Sequence, residues 1–209
     1  MTVTGLFMMV FMNLPCRACY SGLALIPTAE TVGSNQYSVT LQTDGTFDKL
    51  KADTYIVNTQ FGIGDRFEAG LDYDASAGID TRLFWNAKYI LTNFNKDAAA
   101  FAIGYTGIAK NQKSAPYITL TNDFKAIRGH IGFIKSDDKY RLFIGADKEL
   151  SDKFCLMADY TYGDENLSSV ALNYQMNDTI SCLVGAQFPN EGGDSLFTFQ
   201  IAFGGSYKK

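Results

Sequence analysis

The feature that most constrains this chain is a two-residue rhythm that runs from Gln36 almost to the end. Phe197, Phe199, Ile201 and Phe203 alternate with Thr198, Gln200 and Ala202. Phe67, Ala69, Leu71 and Tyr73 alternate with Glu68, Gly70 and Asp72, and Ile127, Gly129, Ile131 and Phe133 with Arg128, His130 and Gly132. Successive side chains of a strand point to opposite faces, so this rhythm builds a sheet with one apolar and one polar face. No segment holds apolar residues at i, i+3, i+4 and i+7, so no helix is expected after the amino-terminal region.

Turn residues cut the rhythm at short intervals: Gly64-Asp65, Asn93 to Asp97, Asp137-Asp138, Gly163-Asp164, Asn177-Asp178 and Pro189 to Asp194. They leave about twelve strands, near 36–44, 53–62, 65–74, 81–91, 98–106, 116–123, 126–135, 139–147, 153–162, 167–175, 179–188 and 195–204. A strand of roughly ten residues is the length needed to cross a bilayer at a tilt. A sheet this wide is relieved of its edges by closing. The expected fold is therefore all-β: a closed antiparallel up-and-down transmembrane β-barrel of about 12 strands, forming a single domain over 36–209.

Alternation alone does not say which face meets lipid. The apolar phase carries no charge in any strand whose phase is readable, as in Leu83, Trp85, Ala87, Tyr89 and in Leu156, Ala158, Tyr160. The other phase holds Ser38, Thr40, Gln42, Asn58, Gln60, Asn86, Asn173 and Gln187, with charges appearing singly. Soluble sheets show more Lys and Glu on a solvated face, whereas a wet lumen suits small polar residues. Aromatics of the apolar phase fall at strand ends. Tyr55, Tyr73, Tyr105, Tyr117, Tyr140 and Tyr160 are assigned to one rim; Tyr37, Phe61, Phe67, Tyr89, Tyr174 and Phe203 to the other. Two such girdles mark the two membrane interfaces. Connections at 45–52 and 107–115 read as long loops on the Tyr55 side, against tight turns such as Gly64-Asp65 on the other, where 92–97 is the exception, so the asymmetry is modest.

Composition narrows the function classes. A formal charge of -4 argues against a nucleic-acid partner, which needs a basic footprint. A single histidine, His130, excludes a multi-histidine metal site, and no nucleotide-binding glycine loop points to a cofactor. Residues Gly5 to Leu14 form an apolar run followed by Pro15-Cys16-Arg17-Ala18-Cys19, which reads as an export signal over 1–19. Residues 20–35 follow as an extended lead-in, broken at Pro27, that plugs or flanks the barrel. Cys155 and Cys182 fall in opposite phases, which argues against a disulfide between them.

Several stretches also resemble a known group. Residues 22–29 (Gly-Leu-Ala-Leu-Ile-Pro-Thr-Ala), with Gly33 and a first strand after them, resemble the opening of bacterial outer-membrane barrels related to the exopolysaccharide-associated barrel lipoproteins. Phe61 to Leu71 (FGIGDRFEAGL) is similar to the G-I-T-D-R-L-E-V-G hairpin of those proteins, and Ala87-Lys88-Tyr89 and Phe188-Pro189-Asn190 are similar as well. The resemblance implies a barrel in the bacterial outer membrane, with lipid as its surroundings and no catalytic residues. The chain departs from the lipoprotein members at the lipidation signal, where Cys16 stands three positions before Cys19.

The polar phase supplies the candidate lumen-lining residues: Glu68, Asp72, Arg82, Lys88, Arg128, His130, Arg141, Asp147 and Asp159. Either these charges line a narrow pore for a small polar solute, or acids and bases pair across strands and fill it. Two further readings are a lipid-acting barrel enzyme, which would need His130 beside a nucleophile on the lipid face, and a soluble ligand-binding barrel, which would need an apolar interior.

Overall fold

The computed structural model describes residues 21–48, 50–78, 82–92, 99–109, 113–136 and 138–207. The proposed export segment lies outside them. Twelve strands follow one another: β1 Gln36–Thr46, β2 Lys51–Ile63, β3 Phe67–Asp74, β4 Leu83–Ile90, β5 Ala100–Ile108 and β6 Ala115–Asp123 form the first half. The second half is β7 Arg128–Ser136, β8 Lys139–Ser151, β9 Phe154–Thr161, β10 Leu167–Gln175, β11 Ile180–Pro189 and β12 Leu196–Ser206. Each strand pairs antiparallel with its sequence neighbours, and β1 closes on β12 through a register that runs from Gln36 opposite Ser206 to Thr46 opposite Leu196. The expected closed up-and-down barrel is the observed fold.

Closure separates the two phases completely. Leu41, Trp85, Ile103, Ile131, Ile144, Val170 and Val184 all stand on the outside, each exposed by two-fifths or more. Ser38, Thr119, Thr121, Ser169, Asn173, Gln187 and Thr198 are buried on the inside. A soluble barrel would show the reverse, so the soluble ligand-binding reading does not survive. An apolar surface running right round a molecule far exceeds the patches that soluble monomers expose, and it matches the lipid-facing band of a membrane barrel. Cys155 points in and Cys182 out, so the two are not paired with each other.

Two details differ from the sequence reading. Tyr117 does not join the rim: it shares the inward phase of Thr119 and Thr121, and the outward residues of β6 are Ile118 and Leu120. Its ring sits over Gly104, where an added Cβ would come within 2.3 Å of it. The expected long loop at 45–52 is also shorter, because β1 and β2 continue pairing past a bulge at Asp44/Gly45 to Thr46 opposite Lys51. The longest connection, 91–99, is on the Tyr37 side. Loop length therefore does not distinguish the rims as expected.

The lead-in lies within the barrel. Residues 21–28 fold into a compact turn, with Leu23 N–H donating to Ile26 C=O (2.9 Å) and Thr28 N–H to Ser21 C=O (3.2 Å). Its apolar side chains, Leu23 and Ile26, pack on an inward-facing apolar patch of Phe143, Cys155, Met157, Ala171 and Leu183. Burying each stabilises by about 1.5–3 kcal/mol. Glycines make the room. A Cβ at Gly145 would lie 2.6 Å from Ile26 Cδ1, and one at Gly62 would lie 2.1 Å from the carbonyl oxygen of Gly33. The tyrosine and phenylalanine rims, less Tyr117, border this cylinder.

Because Ile144 sits midway along β8 facing lipid, Ile144→Arg should destabilise the folded barrel by about 2–4 kcal/mol. Equilibrium unfolding from lipid vesicles measures this; an unchanged midpoint would place that face elsewhere than in the membrane.

Candidate functional site

The lumen holds most of the polar residues singled out from the sequence, and the segment 21–35 organises them. Those backbone groups of the segment that are buried need partners in place of water. Glu68 on β3 accepts from Val32 N–H (2.7 Å), and Asp159 on β9 accepts from Leu25 N–H (3.0 Å) and from the Ser169 hydroxyl (2.7 Å). Lys88 on β4 is almost fully buried, and its ammonium donates to the carbonyls of Ser21 (2.5 Å) and Glu30 (2.7 Å) with Glu68 4.0 Å away. Two of the three ammonium donors are thus bonded to carbonyls, and Glu68 supplies a countercharge at ion-pair distance. Thr119 donates to Pro27 C=O at 3.2 Å.

A second set of contacts forms a loop that leaves the segment and returns to it. Ala29 N–H donates to Thr121 Oγ1 (2.9 Å), which lies 2.8 Å from His130 Nδ1. His130 Nε2 lies 2.7 Å from Asp147 Oδ1, Arg128 Nε donates to the same carboxylate (2.9 Å), and Arg128 also bonds Glu30 Oε1 (2.5 Å). Placing the imidazole proton on Nε2 satisfies every member: Nδ1 accepts the threonine hydroxyl and Nε2–H donates to Asp147. The order hydroxyl, imidazole, carboxylate is that of a nucleophile with its base. Yet Thr121 is 1% exposed and capped by the segment's backbone. His130 faces the lumen, so the lipid-facing nucleophile and histidine required by the lipase reading are not present among the described residues.

The remaining candidates stand apart. Arg82 precedes β4 at the rim and donates to the carbonyls of Asp74 (3.1 Å) and Ser76 (3.2 Å). Arg141 pairs with Glu165 near the Tyr55 rim. Asp72 accepts from Asn86 Nδ2 (2.6 Å), while its Oδ1 is buried with no hydrogen-bond partner among the described residues. The structure thus gathers Glu68, Lys88, Arg128, His130, Asp147 and Asp159 around the segment, and leaves Asp72, Arg82 and Arg141 outside that network.

Sequence reasoning missed Glu30, Thr121 and Tyr117. Glu30 carried a signal, as the sole charge between Arg17 and Asp44. The two threonine and tyrosine side chains carried none, because nothing local says which side chain a distant segment will meet.

Beside the segment the lumen is not filled. A cavity of about 270 Å³ lies between Ser21–Pro27 and the inner wall of β1 to β4, reaching Thr106, Tyr117 and Gln200. Its wall is a belt of amides and hydroxyls, among them Thr40, Gln42, Asn58, Gln60 and Asn86.

These features define a class: a twelve-stranded transmembrane β-barrel with an inserted amino-terminal segment and a polar cavity alongside it. No protein-family model matches the sequence, and no curated protein does. Solved structures do. The chain is similar to the KdgM porin in complex with disordered oligogalacturonate, at 11% identity and TM-score 0.63 over 79% of this chain and 98% of that one. It is also similar to the NanC porin (12% identity, TM-score 0.53, 83% of this chain and 100% of that one). Omp33, an outer membrane protein of Acinetobacter baumannii, aligns at 8% identity and TM-score 0.53 over 81% of this chain and 97% of that one. At these identities the likeness is one of fold: a small outer-membrane β-barrel.

At the Tyr55 rim, beyond the span, Asp138 is flanked by Lys113 and by Lys135 (3.4 Å). Their hydrogen bonds and charges hold its carboxyl below the ordinary value of 3.8. A depressed carboxylate stabilises above its unfolded pKa and loses that contribution as pH falls through the folded value. The Asp138 carboxyl should therefore titrate with a midpoint below 3.8 by NMR, and Lys113→Met should move it upward. For the segment itself, Glu68→Ala leaves the buried Val32 N–H without a partner, at a cost of about 1–3 kcal/mol. Hydrogen exchange at Val32 should quicken accordingly, and Glu68→Gln, which keeps an acceptor, should restore most of the protection.

Proposed function

We propose that this chain is a bacterial outer-membrane pore for small polar solutes, narrowed by its own residues 21–35. The observation that carries the reading is the polar cavity running beside the segment inside a barrel whose outer face is apolar. A barrel of twelve strands lies between the eight-stranded type filled by side chains and the sixteen-stranded type with an aqueous channel. Here the segment takes up the difference on one side and leaves a lane on the other. The porin fold of the similar structures supports the reading, and the KdgM structure was solved with a bound oligosaccharide. In this proposal the lumen-lining residues Arg128, His130, Asp147 and Asp159 act on solutes through the segment they hold, Glu68 and Lys88 hold the segment and also border the lane, and Asp72 borders the lane alone. Arg82 and Arg141 sit near the rim, where they bias which charges approach. Kinship with the exopolysaccharide-associated barrels belongs to the same proposal and rests on the Phe61 to Leu71 hairpin.

Export under a signal in 1–19 is part of the reading, and amino-terminal sequencing of the mature chain should find its start close to Cys19. Conductance in a planar lipid bilayer tests the pore. The purified protein should give small, stable steps, and removing residues 21–34 should enlarge them severalfold. Silence from both forms would overturn the proposal.

A further inference from the structure

The lane has a chemical character beyond the charges of Glu68, Asp72 and Lys88 that border it. Its wall carries side-chain amides and hydroxyls that are tied to one another. Gln42 Nε2 donates to Asp44 Oδ2 (2.8 Å), Asn58 Nδ2 donates to Gln42 Oε1 (3.4 Å), and Asn86 Oδ1 accepts from Thr106 Oγ1 (2.9 Å). These bonds hold the amide planes in place and leave other donors and acceptors turned to the cavity. The Gln60 amide makes no hydrogen bond to the described residues and lines the same space. An amide presents both a donor and an acceptor, as does a hydroxyl, so a wall of this kind matches a solute that also carries both.

The opposite side of the cavity is apolar. It is the tip of the inserted segment, with Leu25, Ile26 and Pro27, and Leu25 keeps 36% of its surface exposed there. A site with one polar wall and one apolar wall fits a ring that has hydroxyls at its rim and C–H bonds on its face. The volume of about 270 Å³ is just under the range of roughly 300–1,000 Å³ for small-molecule pockets, which suits one such ring.

Charge decides what is turned away. Lys88 is the one cation among the described residues that border the cavity, and it already bonds Ser21 and Glu30 and pairs with Glu68 at 4.0 Å. Asp72, by contrast, makes no ion pair among the described residues, and only Asn86 bonds its carboxylate there. An incoming carboxylate would meet two carboxylates, Glu68 and Asp72, against one ammonium already paired with Glu68, and such like-charge juxtapositions are strongly unfavourable.

We propose that this cavity is a subsite for an uncharged, hydroxyl-rich solute of about one sugar ring, and that it discriminates against sugar acids. The inference rests on reading the lumen as a solute pathway and names the solute class. It sets the chain apart from the KdgM porin, whose structure contains the polyacid oligogalacturonate.

The test compares glucose with glucuronate, which differ by one carboxylate, on the full chain in a zwitterionic detergent that has no sugar headgroup. Saturation-transfer NMR should show transfer to glucose and, at equal concentration, at least about tenfold less to glucuronate. Asp72→Asn should narrow that gap. Gln60→Lys, which places a cation in the lane, should reverse the preference. Equal or greater transfer to glucuronate in the wild-type protein, or no transfer to either sugar, would overturn the proposal. Conductance recorded on the same preparation separates the two claims: a conducting protein that prefers glucuronate refutes the subsite alone. A silent protein that binds glucose refutes the pore and leaves the subsite standing.

Discussion

Peptide groups in hydrocarbon have no water to bond, so a sheet that crosses a membrane must leave no edge. In this protein the requirement is met by the pairing of β1 with β12, eleven residue pairs in unbroken register. The rest of the architecture depends on that closure. It commits every second side chain to lipid and every other one to an interior that cannot be apolar throughout without losing the contrast between faces. It also encloses a lumen whose width is set by strand number and not by the side chains available to fill it.

The inserted segment answers the problem of that width, and it brings a problem of its own. A stretch of irregular backbone inside a barrel carries unpaired N–H and C=O groups that burial penalises. The charged wall residues resolve this by bonding the segment in place of one another. Glu68 and Asp159 take N–H donors, Lys88 takes carbonyls, and the chain of Thr121, His130, Asp147 and Arg128 runs from Ala29 to Glu30. The apolar patch from β8 to β11 adds the non-directional part of the grip through Leu23 and Ile26. The anchors run from β3 to β9, and the amides and hydroxyls of β1, β2 and β4 border the space that the segment leaves.

The two alternatives posed for the inner charges therefore turn out not to be exclusive. Acids and bases do pair within the lumen, as Arg128 does with Asp147, but they do so around a piece of chain, and the filling is partial. Asp72 shows the difference within a single strand. It lies four residues from Glu68 on the same face of β3; both border the cavity, yet Glu68 bonds the segment while Asp72 bonds Asn86.

Much of the fold was legible in the sequence because a strand writes its two faces as a local alternation, and turns are marked by residues such as Gly64, which adopts φ +62°. Strand number, closure, the outward apolar phase and the opposed cysteines follow from that local code. Where the code was thin it misled: in Ala-Pro-Tyr-Ile-Thr-Leu at the start of β6 both phases carry a large side chain, and Tyr117 went to the wrong face. The sequence by itself thus determined a closed barrel with an apolar outside and a charged inside. Only the tertiary structure decided what those charges hold, because the partners of Glu68, Lys88 and Asp159 lie between 36 and 134 residues away along the chain. Contacts at such separations arise from closure of the barrel around the segment, and no local pattern encodes them.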